Sequence, residues 1–145
     1  MINTFQTYPA KVEQDDKGRV LVTFPDIPHA ATDGSTLDEA LEEAIDCLEE
    51  AIAGYIYRNE LIPAPSRIKR GQYTVSLCAQ MALKALLYQS VREEGISKVE
   101  LAERMGINER EVRRMLDPRH GSKLPRIEEA LHVLGRHLIV RVEAA

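Results

Sequence analysis

Arg110, Arg113 and Arg114 follow closely on Gly106-Ile107-Asn108, a turn-like segment, so their guanidinium groups fall near the start of whatever element comes next. A guanidinium there can donate two hydrogen bonds at once to guanine O6 and N7, the commonest way a side chain reads a base in the major groove. Lys98, His120, Lys123 and Arg126 flank this stretch in loops and first turns that could reach phosphates. From Lys98 to Arg126 the chain carries 8 basic and 5 acidic residues, a local +3. Glu109 is the discordant member. Phosphate repels a carboxylate, so Glu109 must either accept from a cytosine N4 amine or serve the helix end.

The elements that must position these residues are legible in the local chemistry. Ser97 and Glu100 form a Ser-x-x-Glu capping box, and Gly106 ends the short helix that it starts. Asn108 caps a second helix, Glu109 to Leu116, with Glu111 in its first turn. Ala102 suits a close helix crossing, Ile107 plugs the turn, and Val112 anchors the inner face, which leaves Glu109, Arg110, Arg113 and Arg114 pointing outward. This is the spacing of a helix-turn-helix. Cap, turn glycine, spacing and local charge coincide, which favours DNA binding over an ordinary helical bundle with solvated charges. Around it the pattern predicts helices over Ala79 to Glu94 and Ile127 to Leu134, the latter closed by Gly135. The β-branched end, Leu138 to Val142, reads as a strand that could pair two copies, since two-fold operators require a dimer.

The other concentration of chemistry is acidic. Asp38, Glu39, Glu42, Glu43, Asp46, Glu49 and Glu50 fill one helix face without a single Lys or Arg. Such a face is either simply solvated or a docking surface for a basic, nucleic-acid-handling partner. A metal-dependent nuclease would need carboxylates converging from separate elements, and the strand interiors Thr4 to Val12, Val20 to Phe24 and Tyr73 to Leu77 supply none. His29, His120, His132 and His137 lack metal-ligand spacing, and His132 reads as a residue at the boundary of a helix with the core. Cys47 and Cys78 read as two small buried hydrophobes. Ser76 and Ser90 have no nucleophile motif, and no glycine loop could cradle phosphate. The expectation is therefore no catalysis, no metal and no cofactor.

The acidic helix is capped by Ser35 or Thr36, with an apolar stripe at Leu37, Leu41, Ala44, Ile45, Leu48, Ile52 and Tyr55. Before it, Thr4 to Glu13 and Arg19 to Phe24 read as a hairpin around a polar turn with Gly18, and Pro25 and Pro28 end the second strand. A short edge follows at Ala30 to Thr32, a loop from Asn59 to Gln72, and one more strand at Tyr73 to Leu77. The outer face of this small sheet is expected to stay partly apolar. With 145 residues and 44% hydrophobic composition, the chain fits one domain or two small ones. No run approaches a membrane span and the opening Met1 to Thr4 lacks a secretory pattern, so a cytoplasmic location is expected. Through residue 70 there are 7 basic and 13 acidic residues, a net −6, and after it 12 and 10, a net +2. The asymmetry predicts two modules with different partners, 1–77 and 78–145.

Phe24-Pro25-Asp26-Ile27-Pro28, Gly34-Ser35-Thr36 before Glu39-Ala40-Leu41, and Pro63-Ala64-Pro65-Ser66 together resemble the HicB-type antitoxins. Residues 96–135, including Asp117 to Lys123, look like the repressor-type helix-turn-helix of one branch of that family. The resemblance implies an α+β architecture in which a truncated ribonuclease H-like module, β-β-(β)-α-β, precedes a helix-turn-helix module with a short C-terminal strand. It implies a HicA-type toxin as partner, a small basic mRNA-cleaving ribonuclease, and repression of the chain's own operon through an inverted-repeat operator. Toxin contacts are then expected at Phe24, Asp26, Ile27, Glu39, Glu43, Asp46 and Glu50. DNA contacts are expected at Lys98, Asn108, Glu109, Arg110, Arg113, Arg114, His120, Lys123 and Arg126. Where that repressor type often has Gln, this chain has Lys98 and Glu109, so an operator sequence does not carry over. The alternatives are a stand-alone regulator with a ligand-sensing first module, or a residual RNA hydrolase.

Overall fold

Strand β1 (Thr7–Gln14) and strand β2 (Val20–Phe24) form the expected hairpin, paired from Lys11 opposite Thr23 to Gln14 opposite Val20. Its turn is closed by the Asp15 carboxylate, which accepts from the N–H groups of Lys17 and Arg19 at 2.9 and 2.8 Å, and Gly18 supplies the left-handed φ of 82°. Strand β3 (Ile27–Gly34) pairs with β2, and strand β4 (Tyr73–Ser76) pairs with β1, giving an antiparallel sheet of order β3-β2-β1-β4. The structure, a computed structural model, describes residues 4–144. Met1 to Asn3, on which the expectation of no secretory leader partly rests, lie outside the described residues.

Several sequence expectations shift here. The edge expected at Ala30 to Thr32 is a full strand, and Pro28 lies inside it instead of ending β2. An edge strand tolerates that proline because its outer side needs no ladder donor. Pro9 occupies β1, an inner strand, opposite Thr74. The β1–β2 pairing begins only at Lys11, so on that side no ladder partner stands opposite Pro9.

Helix α1 (Leu37–Tyr57) covers one face of the sheet. Thr36 caps it by accepting from the Glu39 N–H at 3.2 Å, and the Glu39 carboxylate accepts from the Ser35 N–H at 3.0 Å, a reciprocal cap. The buried line is Ala40, Ala44, Leu48, Ile52 and Ile56, which keeps Ala44, Leu48 and Ile52 of the stripe read from the sequence but adds Ala40 and Ile56 in place of its bulkier members. Leu37 and Ile45 are instead exposed, at 36% and 40%. Alanine wins these positions because the helix lies close to the sheet: a Cβ on Gly34 would come within 2.5 Å of the Ala40 nitrogen. Tyr8, Val22, Phe24 and Ile27 complete this core from the strands. The outer sheet face, expected to be partly apolar, carries Lys11, Glu13, Thr23 and Asp33, with Leu21 as its exposed large apolar residue. Cys78 is exposed and Cys47 half-buried, contrary to the expectation for both.

Helices α2 (Ala79–Glu94), α3 (Lys98–Met105), α4 (Glu109–Leu116) and α5 (Leu124–Val133) follow, completing an α+β chain of four strands and five helices among the described residues. The last starts earlier than read from the sequence, with Pro125 in its first turn, where the missing N–H costs nothing. The chain divides into two compact units, 1–86 and 87–145. This division falls within α2, whereas the sequence placed it at 77/78. In the second unit, Leu101, Ala102, Val112, Leu116, Ile127 and Ala130 form the core. Arg136 fastens the segment after α5 to α2, reaching Ser90 at 3.1 Å and Glu93 at 2.7 Å. Leu138 to Val142 is not a strand, contrary to expectation. A strand exists only when a neighbour takes up its N–H and C=O groups, and the described residues offer this segment none.

Candidate functional site

Two surfaces carry the chemistry singled out above. On the first unit, Glu43, Asp46 and Glu50 are exposed along α1, as is Glu39. Glu39 is also committed to the helix cap, and its hydrogen bonds from Ser35 hold its carboxyl below the usual range. Phe24 and Ile27 are core residues, 2% and 1% exposed, so their side chains form no surface in this chain. Asp26, between them, accepts from the Ser66 N–H and hydroxyl at 2.8 and 3.0 Å. The buried Tyr8 hydroxyl donates to the Pro63 carbonyl at 2.7 Å, and burial raises its pKa well above the ordinary phenol value. The irregular Asn59-to-Gln72 segment is thereby clamped to the sheet at two points.

Sequence reasoning passed over a second flank of α1. Asp38, Leu41, Glu42 and Ile45 border an open groove of about 390 Å³ beside β4. The acids of this flank were visible in the sequence, but only folding brings Thr74, Val75 and Ser76 next to them.

On the second unit, Ser97 caps α3 by accepting from the Glu100 N–H at 3.1 Å, and Glu100 pairs with Arg104 at 2.8 Å. Gly106 ends the helix in the left-handed conformation, and Ile107 N–H returns to the Ala102 carbonyl at 3.0 Å. The Asn108 side chain then accepts from the Arg110 N–H at 2.8 Å and starts α4. Val112, Met115 and Leu116 face inward, leaving Arg110, Arg113 and Arg114 exposed on the outer side. Arg113 is held by Glu109 through two hydrogen bonds, 3.1 and 2.8 Å. Glu109 thus sits in the first turn, where its charge favours the helix dipole, and orients an arginine one turn on. Arg126 pairs with Glu129 at 3.1 Å and lies 3.9 Å from Glu111. Lys98 and Arg110 are exposed and make no ion pair among the described residues, and His120 and Lys123 are exposed in the approach to α5. His132 is exposed and its ring lies 6.2 Å from that of His137, a proximity the spacing did not reveal. No group of three His, Cys, Asp or Glu among the described residues is placed to hold a metal ion.

The model of the HicB-like antitoxins of bacterial toxin–antitoxin systems matches residues 7–86, the sheet, α1, β4 and the start of α2. The chain belongs to the HicB-like antitoxin family. It is 37% identical over 136 residues to Antitoxin HicB 1 of Photorhabdus laumondii, covering 94% of this chain and 86% of that protein. To Antitoxin HicB of Pseudomonas fluorescens it is 37% identical over 132 residues, 90% of each chain. To Antitoxin HicB of Escherichia coli it is 34% identical over 131 residues, 90% of this chain and 95% of that one. The similarity to these HicB proteins therefore runs past the matched unit into α3 to α5. The motifs that carried the resemblance have structural counterparts: Asp26 of the Pro-Asp-Ile-Pro run bonds Ser66 of the Pro-Ala-Pro-Ser run, and Thr36 caps the Glu-Ala-Leu helix. No helix among the described residues is long and apolar enough to cross a membrane.

Proposed function

We propose that the chain is the antitoxin half of a toxin–antitoxin pair, that its first unit neutralises a HicA-type mRNA-cleaving toxin, and that its second unit represses its own operon. The reading works in the cytoplasm and involves no catalysis by the chain itself. Its first unit is a truncated ribonuclease H-like fold whose acids lie along one helix rather than around a metal-binding centre. A toxin that binds RNA must present positive charge, and a face bearing Glu39, Glu43, Asp46 and Glu50 competes for it as phosphate would.

In the second unit α3, its glycine turn and α4 act as a helix-turn-helix. The observation that carries the repressor half is the combination of an Asn108 cap, a buried Val112 and outward Arg110 and Arg113, the arrangement by which a recognition helix presents its N-terminal residues to base edges. Lys98, His120 and Lys123 then meet phosphates, with Arg114 and Arg126 beside them. A homodimer or higher oligomer reads the two halves of an inverted repeat, paired through Leu138 to Val142.

Co-expression tests both halves in one strain. The full-length chain rescues growth against the short basic protein encoded beside it and silences a reporter under its own promoter. Arg110→Ala keeps rescue but loses about 1–3 kcal/mol on operator DNA in gel shifts, while Lys123→Ala weakens specific and random DNA alike. Persistent toxicity with folded wild-type chain contradicts the antitoxin half. Equal losses for both variants on both DNAs contradict the assignment of Arg110 to a base.

A further inference from the structure

The geometry points to the groove between α1 and the outer edge of β4 as a strand-docking site for an extended, lysine- or arginine-bearing segment of the toxin, which would add a strand to the antitoxin's sheet. This inference rests on the toxin-binding reading above and locates it. Peptides that add to a sheet edge gain affinity from main-chain hydrogen bonds and specificity from pockets for alternate side chains.

The edge is β4, last in the order β3-β2-β1-β4. Just after it, the Leu77 N–H donates to the Gln6 carbonyl at 2.8 Å, in continuation of the β1–β4 ladder. Because N–H groups alternate sides along a strand, those of Tyr73 and Val75 face β1 and those of Thr74 and Ser76 face outward. Two further observations agree with this phase. Pro9, which has no N–H, stands opposite Thr74, and the hydroxyls of Thr7 and Ser76 meet at 2.9 Å, as side chains do at the closer, non-hydrogen-bonded pairs. The other edge strand, β3, carries Pro28, which has no N–H to offer a partner.

Beyond the β4 edge lies one flank of α1 rather than another strand. Asp38, Leu41, Glu42 and Ile45 recur at i, i+3, i+4 and i+7 and bound the groove of about 390 Å³. Leu41 is half-buried and Ile45 is 40% exposed, an apolar contact for one side chain of an incoming strand. Asp38 and Glu42 border the same groove with no Lys or Arg among its lining residues, so the charge that complements it is positive. One turn past Ile45, Glu49 accepts from the Cys78 N–H at 2.9 Å and fixes α1 to the chain that follows β4. The occupant is therefore an extended segment with main-chain groups for Thr74 and Ser76, an apolar side chain for Ile45 and a basic one for the Asp38 and Glu42 pair.

The test uses full-length antitoxin and the toxin encoded beside it. Thr74→Pro deletes an outward N–H and leaves the β1–β4 bonds intact, since proline is accepted on an edge whose N–H faces solvent. The pair Asp38→Lys with Glu42→Lys reverses the groove charge without touching the sheet, and it decides the matter even where Thr74→Pro fails to fold. Both variants, with unchanged circular dichroism, should bind toxin at least tenfold more weakly than wild type and lose growth rescue. In the wild-type complex the Thr74 and Ser76 amides should become protected from hydrogen exchange. Wild-type affinity in both folded variants overturns the groove and leaves the antitoxin reading standing. Wild-type chain that binds no toxin overturns both. Variants that change self-association while keeping toxin affinity overturn the inference in favour of a second copy as occupant.

Discussion

Gly34 shows how a single missing side chain sets the spacing of the first unit. It ends β3 beneath the first turn of α1, and a Cβ there would sit 2.5 Å from the Ala40 nitrogen and 2.8 Å from its Cα. Backbone atoms of a packed helix cannot step aside as a flexible side chain can, so Gly34→Ala must push α1 off the sheet. Overpacking of this kind costs about 1–3 kcal/mol, read as a lower urea midpoint at unchanged slope. Two residues on, the cap makes a pH-dependent contribution. Hydrogen bonds from Ser35 lower the pKa of Glu39 in the folded state. The stabilisation is therefore fully present above the unfolded carboxylate value and is lost as pH falls through the lowered folded one. Glu39→Gln should flatten the acid limb of the stability curve while keeping an acceptor for Ser35. Thr36→Ala removes the cap acceptor for the Glu39 N–H and should cost about 1 kcal/mol at every pH. Thermal melts from pH 3 to pH 7 separate the two variants.

Among the elements, α4 joins an arginine that the reading above gives to a base with a carboxylate that DNA repels. Glu109 holds Arg113 by two hydrogen bonds, so Arg113 must either leave Glu109 or bring it along when α4 meets the groove. Glu109→Gln removes one negative charge near phosphate and loosens that hold. It should tighten binding to random DNA several-fold and leave salt sensitivity nearly unchanged, because no phosphate contact is added. Loss of affinity confined to operator DNA would instead assign Glu109 to a cytosine amine. The short helices were legible in the sequence because Ser97, Gly106 and Asn108 act locally: each satisfies or ends a helix within four residues of itself. The buried line of α1 was legible only in part: Ala44, Leu48 and Ile52 were in the apolar stripe, but Ala40 was not. Hydrophobicity ranks Leu37 and Ile45 above Ala40, but the close approach of a helix to a sheet selects for small volume, and that depends on Gly34 across the interface. The β4 groove was illegible for a related reason, since Thr74 meets α1 only after the clamped Asn59-to-Gln72 segment has turned the chain back. The clamp itself, Asp26 to Ser66, was present in the sequence as two motifs with nothing to join them.

For the whole molecule, the open question in the sequence was what Leu138 to Val142 pairs with. Its composition is that of a strand, yet Ile139, Val140 and Val142 are 80%, 77% and 93% exposed and the segment has no ladder. Arg136 ties the chain just before it to Ser90, Glu93 and Glu94 of α2, so the segment starts from a fixed point of the second unit. Three exposed branched residues on such an anchored end are costly in water, and burying them against the same segment of a second copy would also satisfy both backbones. An isologous pair of this kind is what a two-fold operator demands, because each copy then offers one α4 to one half-site. Replacing Ile139, Val140 and Val142 together by Ser removes the apolar drive without disturbing the Arg136 anchor or the core of the second unit. The variant should sediment as a monomer or smaller oligomer than the wild type at micromolar concentration. It should also lose most of its preference for an inverted repeat over a single half-site, since the gain from joining two half-sites is one of effective concentration. Its affinity for a half-site should stay near that of the wild type. An unchanged sedimentation coefficient with unchanged operator preference would move the dimer contact elsewhere in the chain and leave α4 as the reader.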